Sequence, residues 1–324
     1  MEASRLDVVC VGILVADIFV PPMDRLPLPG ELARVNDLPL STGGCAANTG
    51  IDLAKLGARV SVVGKVGNDA FADFIRQDLK SKGVDVGGLR VSSDMPTSRT
   101  VILTVIGDDR RYIHTVGANS DLRVPDINLD LVKQAKVLYV GGYLLFPGVD
   151  QASLADLLRY AKQNGVKTVL DVAGVNSDHN LDHLKEVLPF TDAFLPNYDE
   201  AKILTQNDDP LRQAEIFVSL GAGTAVITMG ALGVVACQAG EDGVHKYLHA
   251  GVYPIHLIDP SGGGDAFDAG YIIGLLEDWD MERSITFASA IGGSACTKLG
   301  TTAGVFTRVE AEKFIAANNL KLNA

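Results

Sequence analysis

The sequence predicts an α/β fold in which a mostly parallel β-sheet is covered by helices on both faces. Apolar runs of strand length alternate with helix-period segments along most of the 324 residues, and this alternation is typical of a parallel sheet. It is plainest after Asn119. One stretch departs from it: residues 100–115 alternate apolar and polar side chains around a turn, which indicates a hairpin inserted into the α/β chain.

The first elements read as strand, loop, helix, strand and helix. A buried strand is predicted at Val8–Leu14, and Asp17 follows where that apolar run ends. A loop rich in proline comes next, and a helix of small residues then runs until Gly57 stops it. Arg59–Val66 is predicted as a strand. Asp69–Lys82 is predicted as an amphipathic helix that buries its aromatic and aliphatic face.

The inserted hairpin turns at Gly107-Asp108-Asp109-Arg110. A small sheet inside an α/β chain would make a natural lid over a binding site. Arg99, Arg110 and Arg111 flank the hairpin, and they would suit an acidic substrate. Exposed arginines are more often simply solvated, so both interpretations stay open at this point.

The second half of the chain repeats the strand and helix pattern without an internal repeat or a linker between independent halves. Its predicted strands are Val137–Val140, Val166–Val172, Ala193–Leu195 and Ala225–Thr228, with a further β-like run at His256–Ile258. Its predicted helices are Gln151–Gln163, Asp199–Leu204, Leu211–Leu220, Asp265–Leu276, Glu282–Lys298 and Val309–Ala317.

Composition excludes several classes of partner. The net charge of −12 argues against nucleic acid or an anionic membrane as the main partner. The first apolar run is too short to span a bilayer, and it follows Asp7 where a signal peptide would have basic residues. The four cysteines form no CxxC pair and are expected to be free thiols. These features together predict a soluble, cytoplasmic protein.

The strongest functional signal is the glycine-rich stretch at residues 259–270. Gly262, Gly263 and Gly264 enter a helix, where unpaired N–H groups and the positive end of the helix dipole make a site for an anion. Asp265 would repel a phosphate, so its place beside them makes sense if it is a base that takes a proton from a hydroxyl. The alternative is that Asp265 only caps the helix.

Further candidates lie at the edge of the sheet where ligands of α/β proteins bind, beyond the carboxyl ends of the strands. Polar or glycine residues at or just after predicted strand ends are Asp17, Gly142, Asn197, Thr228 and Asp265. Gly43 and Gly44 open another helix, and Asn48 lies in its first turns, where its amide would face the same ligand. Glu200 fits either a capping box with Asn197 or an indirect magnesium contact.

Several common motifs are absent from the sequence. It contains no GxxxxGK[ST], no GxGxxG, no GxSxG and no HExxH. A Walker-type nucleotide site, a nicotinamide or flavin site, a serine hydrolase and a zinc peptidase are therefore unsupported.

With these pieces in place, the sequence resembles the ribokinase-like (PfkB) carbohydrate kinase family over nearly its whole length. Two motifs carry the resemblance: Gly43-Gly44-Cys45-Ala46-Ala47-Asn48, followed by residues 64–69, and residues 259–270, which are close to the family's D-T-x-G-A-G-D-x-F-x-A-G. The resemblance implies a ribokinase-like three-layer α/β/α sandwich with a mostly parallel central sheet and a small inserted β-sheet lid. Residues 1–13, 41–97 and 118–324 would form the large nucleotide- and substrate-binding domain, and residues 14–40 and 98–117 the lid.

The resemblance also implies roles for individual residues. Asp265 would be the base, and the anion hole for the γ-phosphate would be Gly262, Gly263 and Gly264. The acceptor's hydroxyls would be held by Asp17, Gly43, Gly44 and Asn48. The nucleotide and its magnesium would be served by Asn197, Thr228, Gly230 and, mostly through water, Glu200. A monovalent-cation site would include Asp259 and Ser261 and would be completed near Gly300.

The implied function is an ATP-dependent kinase that transfers the γ-phosphate to a hydroxyl of a sugar or sugar-like molecule. It would need Mg²⁺, with K⁺ or another monovalent cation beside the anion hole, and a homodimer would form through the lid. A nucleoside kinase of the same fold is an alternative, since Tyr143 and Phe146 would stack on a base. A catalytically idle sugar-binding relative is another.

Four departures from the family pattern bear on the acceptor and the cation. Pro260 replaces the usual threonine and removes a backbone donor. Val15, Cys45 and the Gly141-Gly142-Tyr143 segment stand where ribokinase has polar groups for its sugar. A buried hydroxyl without a partner costs about 1–3 kcal/mol, so ribose is disfavoured as the acceptor.

Overall fold

The computed structural model describes residues 6–107, 111–240 and 243–323, and their strands form two sheets. The strands are β1 (Val8–Gly12), β2 (Val15–Met23), β3 (Leu40–Gly43), β4 (Val60–Val66), β5 (Asp85–Val91), β6 (Arg99–Val105), β7 (Arg111–Thr115), β8 (Val137–Tyr143), β9 (Lys167–Val172), β10 (Ala193–Phe194), β11 (Thr224–Thr228), β12 (Val234–Gln238), β13 (Lys246–Ala250) and β14 (Leu322–Asn323). The α-helices are α1 (Cys45–Lys55), α2 (Ala70–Ser81), α3 (Leu129–Gln134), α4 (Gln151–Gln163), α5 (Tyr198–Thr205), α6 (Pro210–Ser219), α7 (Gly263–Leu276), α8 (Met281–Ala295) and α9 (Arg308–Ala317).

The large sheet has the strand order β14-β13-β12-β11-β10-β9-β8-β1-β4-β5. Its strands from β11 to β5 in that order are parallel, and β12, β13 and β14 add antiparallel pairs at one edge. Apolar side chains of β1 alternate between two buried clusters, Val8 and Cys10 in one and Val9 and Val11 in the other. The sheet therefore has a hydrophobic core on each face, which confirms the predicted layered α/β fold.

The small sheet has the order β3-β2-β6-β7, in which β2 and β6 are parallel and the outer pairs antiparallel. It contains the predicted hairpin of β6 and β7 and adds β2 and β3, which lie on either side of the proline-rich region. The predicted turn residues Asp108, Asp109 and Arg110 lie outside the described residues. In the part of the chain that the structure does describe, no helix combines the length and apolar character needed to cross a membrane.

Two local predictions were wrong, and each has a physical reason. The first prolines of the predicted loop, Pro21 and Pro22, belong to strand β2 instead. They lie between Val20 and Met23, where the pairing of β2 with β6 is irregular. Proline lacks an N–H donor, so a strand tolerates it at such a position. His256–Ile258 belongs to no strand among the described residues. The N–H of Ile258 donates instead to the carbonyl of Cys296 at the end of a helix (2.9 Å).

Candidate active site

Two helix N-termini without capping side chains meet at the predicted site. Of the nine described α-helices, seven have an N-terminal side chain that accepts a backbone N–H bond, and these side chains are Asp69, Asn128, Asp150, Asn197, Asp209, Asp280 and Thr307. The exceptions are α1 and α7, whose N-cap residues are Gly44 and Gly262. Uncapped helix starts leave N–H donors available to a ligand, and here the two glycine motifs supply both of them.

Asp265 lies in the first turn of α7, three residues after the N-cap position, so it does not cap the helix. The amide of Asn48 on α1 donates to its Oδ2 (2.8 Å), and Thr301 Oγ1 donates to Asn48 Oδ1 (3.0 Å). Burial raises the pKa of Asp265, and hydrogen bonds from Asn48 and Cys45 act in the opposite sense. The structure thus joins the two motifs through a carboxylate–amide contact between residues 217 positions apart.

The glycines before Asp265 are needed for different reasons. Gly262 has a φ of 77°, and a Cβ there would overlap the carbonyl of Thr301. Around Gly264 a Cβ would meet no atom within 4 Å, so the space above this turn is open. The N–H of Gly263 bends back to the carbonyl of Pro260 (3.3 Å). The α7 N-terminus is therefore shaped by the first glycine and left uncovered at the third.

Asp17 comes from β2 in the small sheet, and only 9% of it is exposed. A Cβ on Gly43 would overlap its Oδ2, which explains the glycine. Burial raises the pKa of Asp17 to about 6, against a hydrogen bond from Thr100 that lowers it. Gly44, with a φ of 96°, then begins α1, so that Asp17, Gly43, Gly44 and the first turn of α1 form one continuous group.

Asn197 and Glu200 form a capping box at the start of α5. The side chain of Asn197 accepts the N–H of Glu200, and Glu200 accepts the N–H of Asn197, each at 3.0 Å. The backbone of Asn197 also pairs with that of Thr228, at the end of β11, in an isolated parallel β-bridge. Gly230 follows with a positive φ of 54°. Burial and the charge of Asp265 raise the pKa of Glu200 to about 7, although backbone and side-chain bonds from Asn197 lower it. The capping role and a position facing the site thus coexist.

Asp259 is fully buried beside the start of α7. Its Oδ1 accepts the N–H of Ser261 (2.8 Å), and its Oδ2 accepts the N–H of Gly300 (2.9 Å). The structure therefore brings together the three residues that the family resemblance associates with a monovalent cation.

Sequence reasoning missed Asp171 and the local role of Cys45. The Cys45 Sγ and carboxylate oxygens of Asp171 and Asp265 lie within 4.8 Å of one another. Asp171 Oδ2 also accepts the N–H of Gly142 (3.0 Å). Burial and the negative charges of Asp268 and Glu200 raise the pKa of Asp171. The available signal was the position of Asp171 near the end of a predicted strand, the same criterion that selected Gly142.

A buried hydrogen-bond chain lies beneath Asp265. The phenol of Tyr139 on β8 donates to Asp268 Oδ2 (2.9 Å), and Thr49 Oγ1 lies 3.3 Å from the same phenol. The Thr49 hydroxyl is also 3.2 Å from the carbonyl oxygen of Asp265. These contacts tie α1, β8 and α7 together directly below Asp265.

The aromatic pair expected to stack on a nucleoside base is buried instead. Tyr143 and Phe146 are 4% and 1% exposed, and their rings pack edge to face with centroids 6.1 Å apart. Neither ring offers a free face to a ligand, so this expectation was wrong.

Comparison with known proteins decides the family. The family model described as pfkB family carbohydrate kinase matches residues 5–308. The chain belongs to this family. It is accordingly a phosphotransferase whose acceptor is an alcohol group, a sugar kinase.

Relatives of this pfkB family chain include proteins with different acceptors. A ribokinase of Haemophilus influenzae is 27% identical over 296 residues, covering 89% of this chain and 91% of the relative. A 5-dehydro-2-deoxygluconokinase of Clostridium perfringens is 28% identical over 301 residues, covering 89% and 86%.

Solved structures show the same fold. Arabidopsis thaliana ribokinase complexed with ribose and ATP superposes with a TM-score of 0.80 at 24% identity, covering 96% of this chain and 99% of that one. An E. coli protein described as a ribokinase II, in complex with ATP and Mg²⁺, gives a TM-score of 0.79 at 22% identity, with the same coverage.

Proposed function

We propose that this sugar kinase uses ATP and Mg²⁺, with Asp265 as the base and the N-terminus of α7 as the anion hole. The observation that carries the proposal is the meeting of two uncapped helix starts at one carboxylate, which Asn48 binds from the opposite helix. An uncapped, glycine-lined helix start binds phosphate oxygens, and a buried carboxylate beside it accepts a proton.

In the proposed reaction, Asp17 and Asn48 hold hydroxyls of the acceptor while the small sheet, residues 14–40 and 98–117, covers it as a lid. Asp265 takes the proton from the reacting hydroxyl as the hydroxyl oxygen attacks the γ-phosphorus. The bond between the γ-phosphorus and the oxygen that bridges it to the β-phosphate breaks, and ADP leaves. The free N–H groups around Gly264 stabilise charge on the transferring phosphoryl group. Loss of one such donor typically lowers kcat by about 10²–10³-fold.

Magnesium fits the carboxylates that face the site. Carboxylate oxygens of Asp171 and Asp265 lie within 4.8 Å of each other, and Glu200 is close enough to Asp265 for that charge to act on it. Carboxylate oxygens are ligands that suit Mg²⁺. When bound, the ion would neutralise charge on the phosphate oxygens. The similar E. coli structure that was solved with ATP and Mg²⁺ supports the use of this ion. Glu200 would act mostly through water, because its carboxylate already binds the N–H of Asn197.

Asn197, Thr228 and Gly230 are proposed to lie beside the nucleotide phosphates. Asp259 and Ser261 are proposed to hold a monovalent cation with the Gly300 segment. The contacts between Asp259 and the N–H groups of Ser261 and Gly300 support the shared location.

The experiment is a coupled assay of ADP release with MgATP and a panel of sugars, sugar acids and nucleosides. We expect acceptor-dependent ADP release for at least one sugar. Sugar binding without ADP release for any acceptor would favour the idle relative and contradict the proposal. Turnover of nucleosides alone would replace the sugar acceptor with a nucleoside.

A further inference from the structure

Two of the arginines beside the predicted lid hairpin, Arg99 and Arg111, do not face the acceptor residues. Across the small sheet, Ser41, Asp17, Thr100 and His114 are direct neighbours on successive strands, so they form one row on one face. We call this face the Asp17 face. Arg99 precedes Thr100 and Arg111 pairs with Leu103, so strand alternation places both on the opposite face.

The position of Arg99 agrees with this alternation, because its guanidinium lies 5.1 Å from the ring centroid of Phe71 on α2. The Asp17 face turns towards α1 instead. Phe19 and Ser41 from this face line a cavity of about 540 Å³ together with Ile51 of α1.

Among the described residues, the acidic groups at the acceptor residues have no cationic side chain paired with them. Carboxyl groups of Asp17, Asp171, Asp265 and Asp268 form no ion pair with a lysine or arginine of residues 6–107, 111–240 and 243–323. Burial lowers the pKa of His114, which favours its uncharged imidazole.

Two lysines lie nearby but in a separate place. Lys55 and Lys82 line the 540 Å³ cavity together with Thr301. Neither Asp17 nor Asp265 lines that cavity, and the Thr301–Asn48 hydrogen bond stands between it and the base. The lysines are therefore positioned outside the group formed by Asp17, Asn48 and Asp265.

We infer that the acceptor of this site is an uncharged polyhydroxy compound, and that sugar acids and sugar phosphates are excluded. Carboxylates and an amide bind hydroxyl groups, whereas like charge in a partly buried site repels a carboxylate or phosphate. The inference rests on the proposed kinase function and narrows its acceptor. It also separates this chain from relatives that phosphorylate a gluconate derivative, such as the one from Clostridium perfringens.

Matched acceptors test the inference directly. Glucose would be compared with gluconate, and fructose with fructose 6-phosphate, by ADP release at saturating MgATP. We expect the neutral member of any active pair to have a kcat/KM at least about 100-fold higher than its anionic partner. An anionic member within tenfold of its neutral partner, or better, would overturn the inference while leaving the kinase function intact.

Two arginine variants supply a matched control. His114→Arg places a guanidinium in the row with Asp17. It should reduce the ratio of kcat/KM for the neutral acceptor to kcat/KM for the anionic acceptor by about tenfold or more. Thr115→Arg adds the same charge to the opposite face and should leave this ratio unchanged. Equal effects of the two variants would contradict the orientation of the sheet on which the inference depends.

Lys55→Met examines the lysine cavity. Turnover of an anionic acceptor that disappears in this variant would show that the cavity binds the charge, against the inference. If no acceptor releases ADP, the proposed function fails. Thermal unfolding with the same pairs and a non-hydrolysable Mg–ATP analogue then decides: stabilisation by neutral members supports the inference, and stabilisation by anionic members alone overturns it.

Discussion

At the scale of single residues, Asp17 shows how one buried carboxyl links the small sheet to the start of α1. Its side chain occupies the space that a Cβ of Gly43 would take, and Thr100 on the neighbouring strand donates to it. Replacing Gly43 by alanine would displace this carboxyl. Position 43 therefore requires a glycine because the Asp17 carboxylate occupies the space of a side chain.

Acceptor binding should depend on pH through Asp17, whose pKa burial raises to about 6. The ionised form accepts hydroxyl hydrogen bonds, so acceptor KM is expected to rise as pH falls below 6. Asp17→Asn should raise KM at pH 7 and remove this pH dependence. Because burial raises the pKa of Asp17 in the folded protein, the folded state holds the protonated carboxyl better than the unfolded chain does. The free energy of unfolding that Asp17 contributes is therefore present at low pH and is lost as pH rises through 6. Asp17→Asn should therefore unfold at a higher temperature than the wild type at pH 7 but not at pH 4.

An acceptor KM that keeps the same rise below pH 6 in Asp17→Asn would assign the titration to another group. The measurement is a pH series of KM at fixed MgATP, with thermal unfolding at the two pH values.

The sequence points to those candidate site residues that belong to consecutive motifs. Asp265, its glycines and Asn48 are recognisable because neighbours in the chain share one task. Asp171 and Asp268 are not, because their partners Gly142 and Tyr139 are 29 and 129 positions away. A contact of this kind depends on how strands and helices pack, which a local pattern does not encode. Glu200 stayed ambiguous because capping and facing the site need the same residue type.

At the scale of elements, contacts on the buried side of α7 fix the orientation of this helix about its own axis. Asp268 lies one turn after Asp265 and is 3% exposed, and its carboxylate accepts a hydrogen bond from the Tyr139 phenol. The Tyr139 ring packs against the backbone of Gly141, and a Cβ at that position would lie only 2.5 Å from the ring. The direction of Asp265 therefore depends on a strand as well as on its own helix.

Tyr139→Phe removes the donor to Asp268 and lets α7 shift relative to α1. We expect kcat to fall about 10–100-fold, because small displacements of a base are costly, with little change in the KM for ATP. Asp268→Asn keeps an acceptor for the phenol and should retain more activity. Tyr271→Phe, a buried tyrosine further along α7, is the matched control. Equal losses in Tyr139→Phe and Tyr271→Phe would show that general stability, not the direction of the base, is responsible.

Secondary structure was predictable where apolar periodicity was long and unbroken, as in β1, α4 and α7. It failed where a strand violates local preference. β5 contains Gly87 and Gly88, and Gly88 is required because a Cβ would meet Val63 at 2.6 Å. β2 contains two prolines at an irregular pairing. In both strands the partner strands, not the local sequence, decide the conformation.

At the scale of the whole molecule, the small sheet carries an apolar row on the face opposite Asp17. Leu40, Ile18, Val101 and Ile113 are direct neighbours across its four strands. Ile113 is 64% exposed and Leu40 37%. An exposed apolar row on a lid is the feature that would support the proposed homodimer through the small sheet.

Ile113→Glu should convert that homodimer to a monomer, because it places a charge in the centre of an apolar interface. Sedimentation velocity at matched concentrations would measure the change. Leu211→Glu, at an exposed apolar position on α6, is the control and should leave the assembly unchanged. A wild-type protein that sediments as a monomer, or a dimer that survives Ile113→Glu, would contradict this interface.

The proposed role of Asp265 is to take the proton while the uncovered start of α7 holds the phosphate. The most direct measurement is single-turnover phosphoryl transfer by Asp265→Asn with the acceptor found in the panel, beside a titration of ATP binding. The amide preserves the bond to Asn48 in shape but removes the base, so we predict a rate lower by about 10²–10⁴-fold with ATP affinity nearly unchanged. A rate within tenfold of the wild type would contradict the claim.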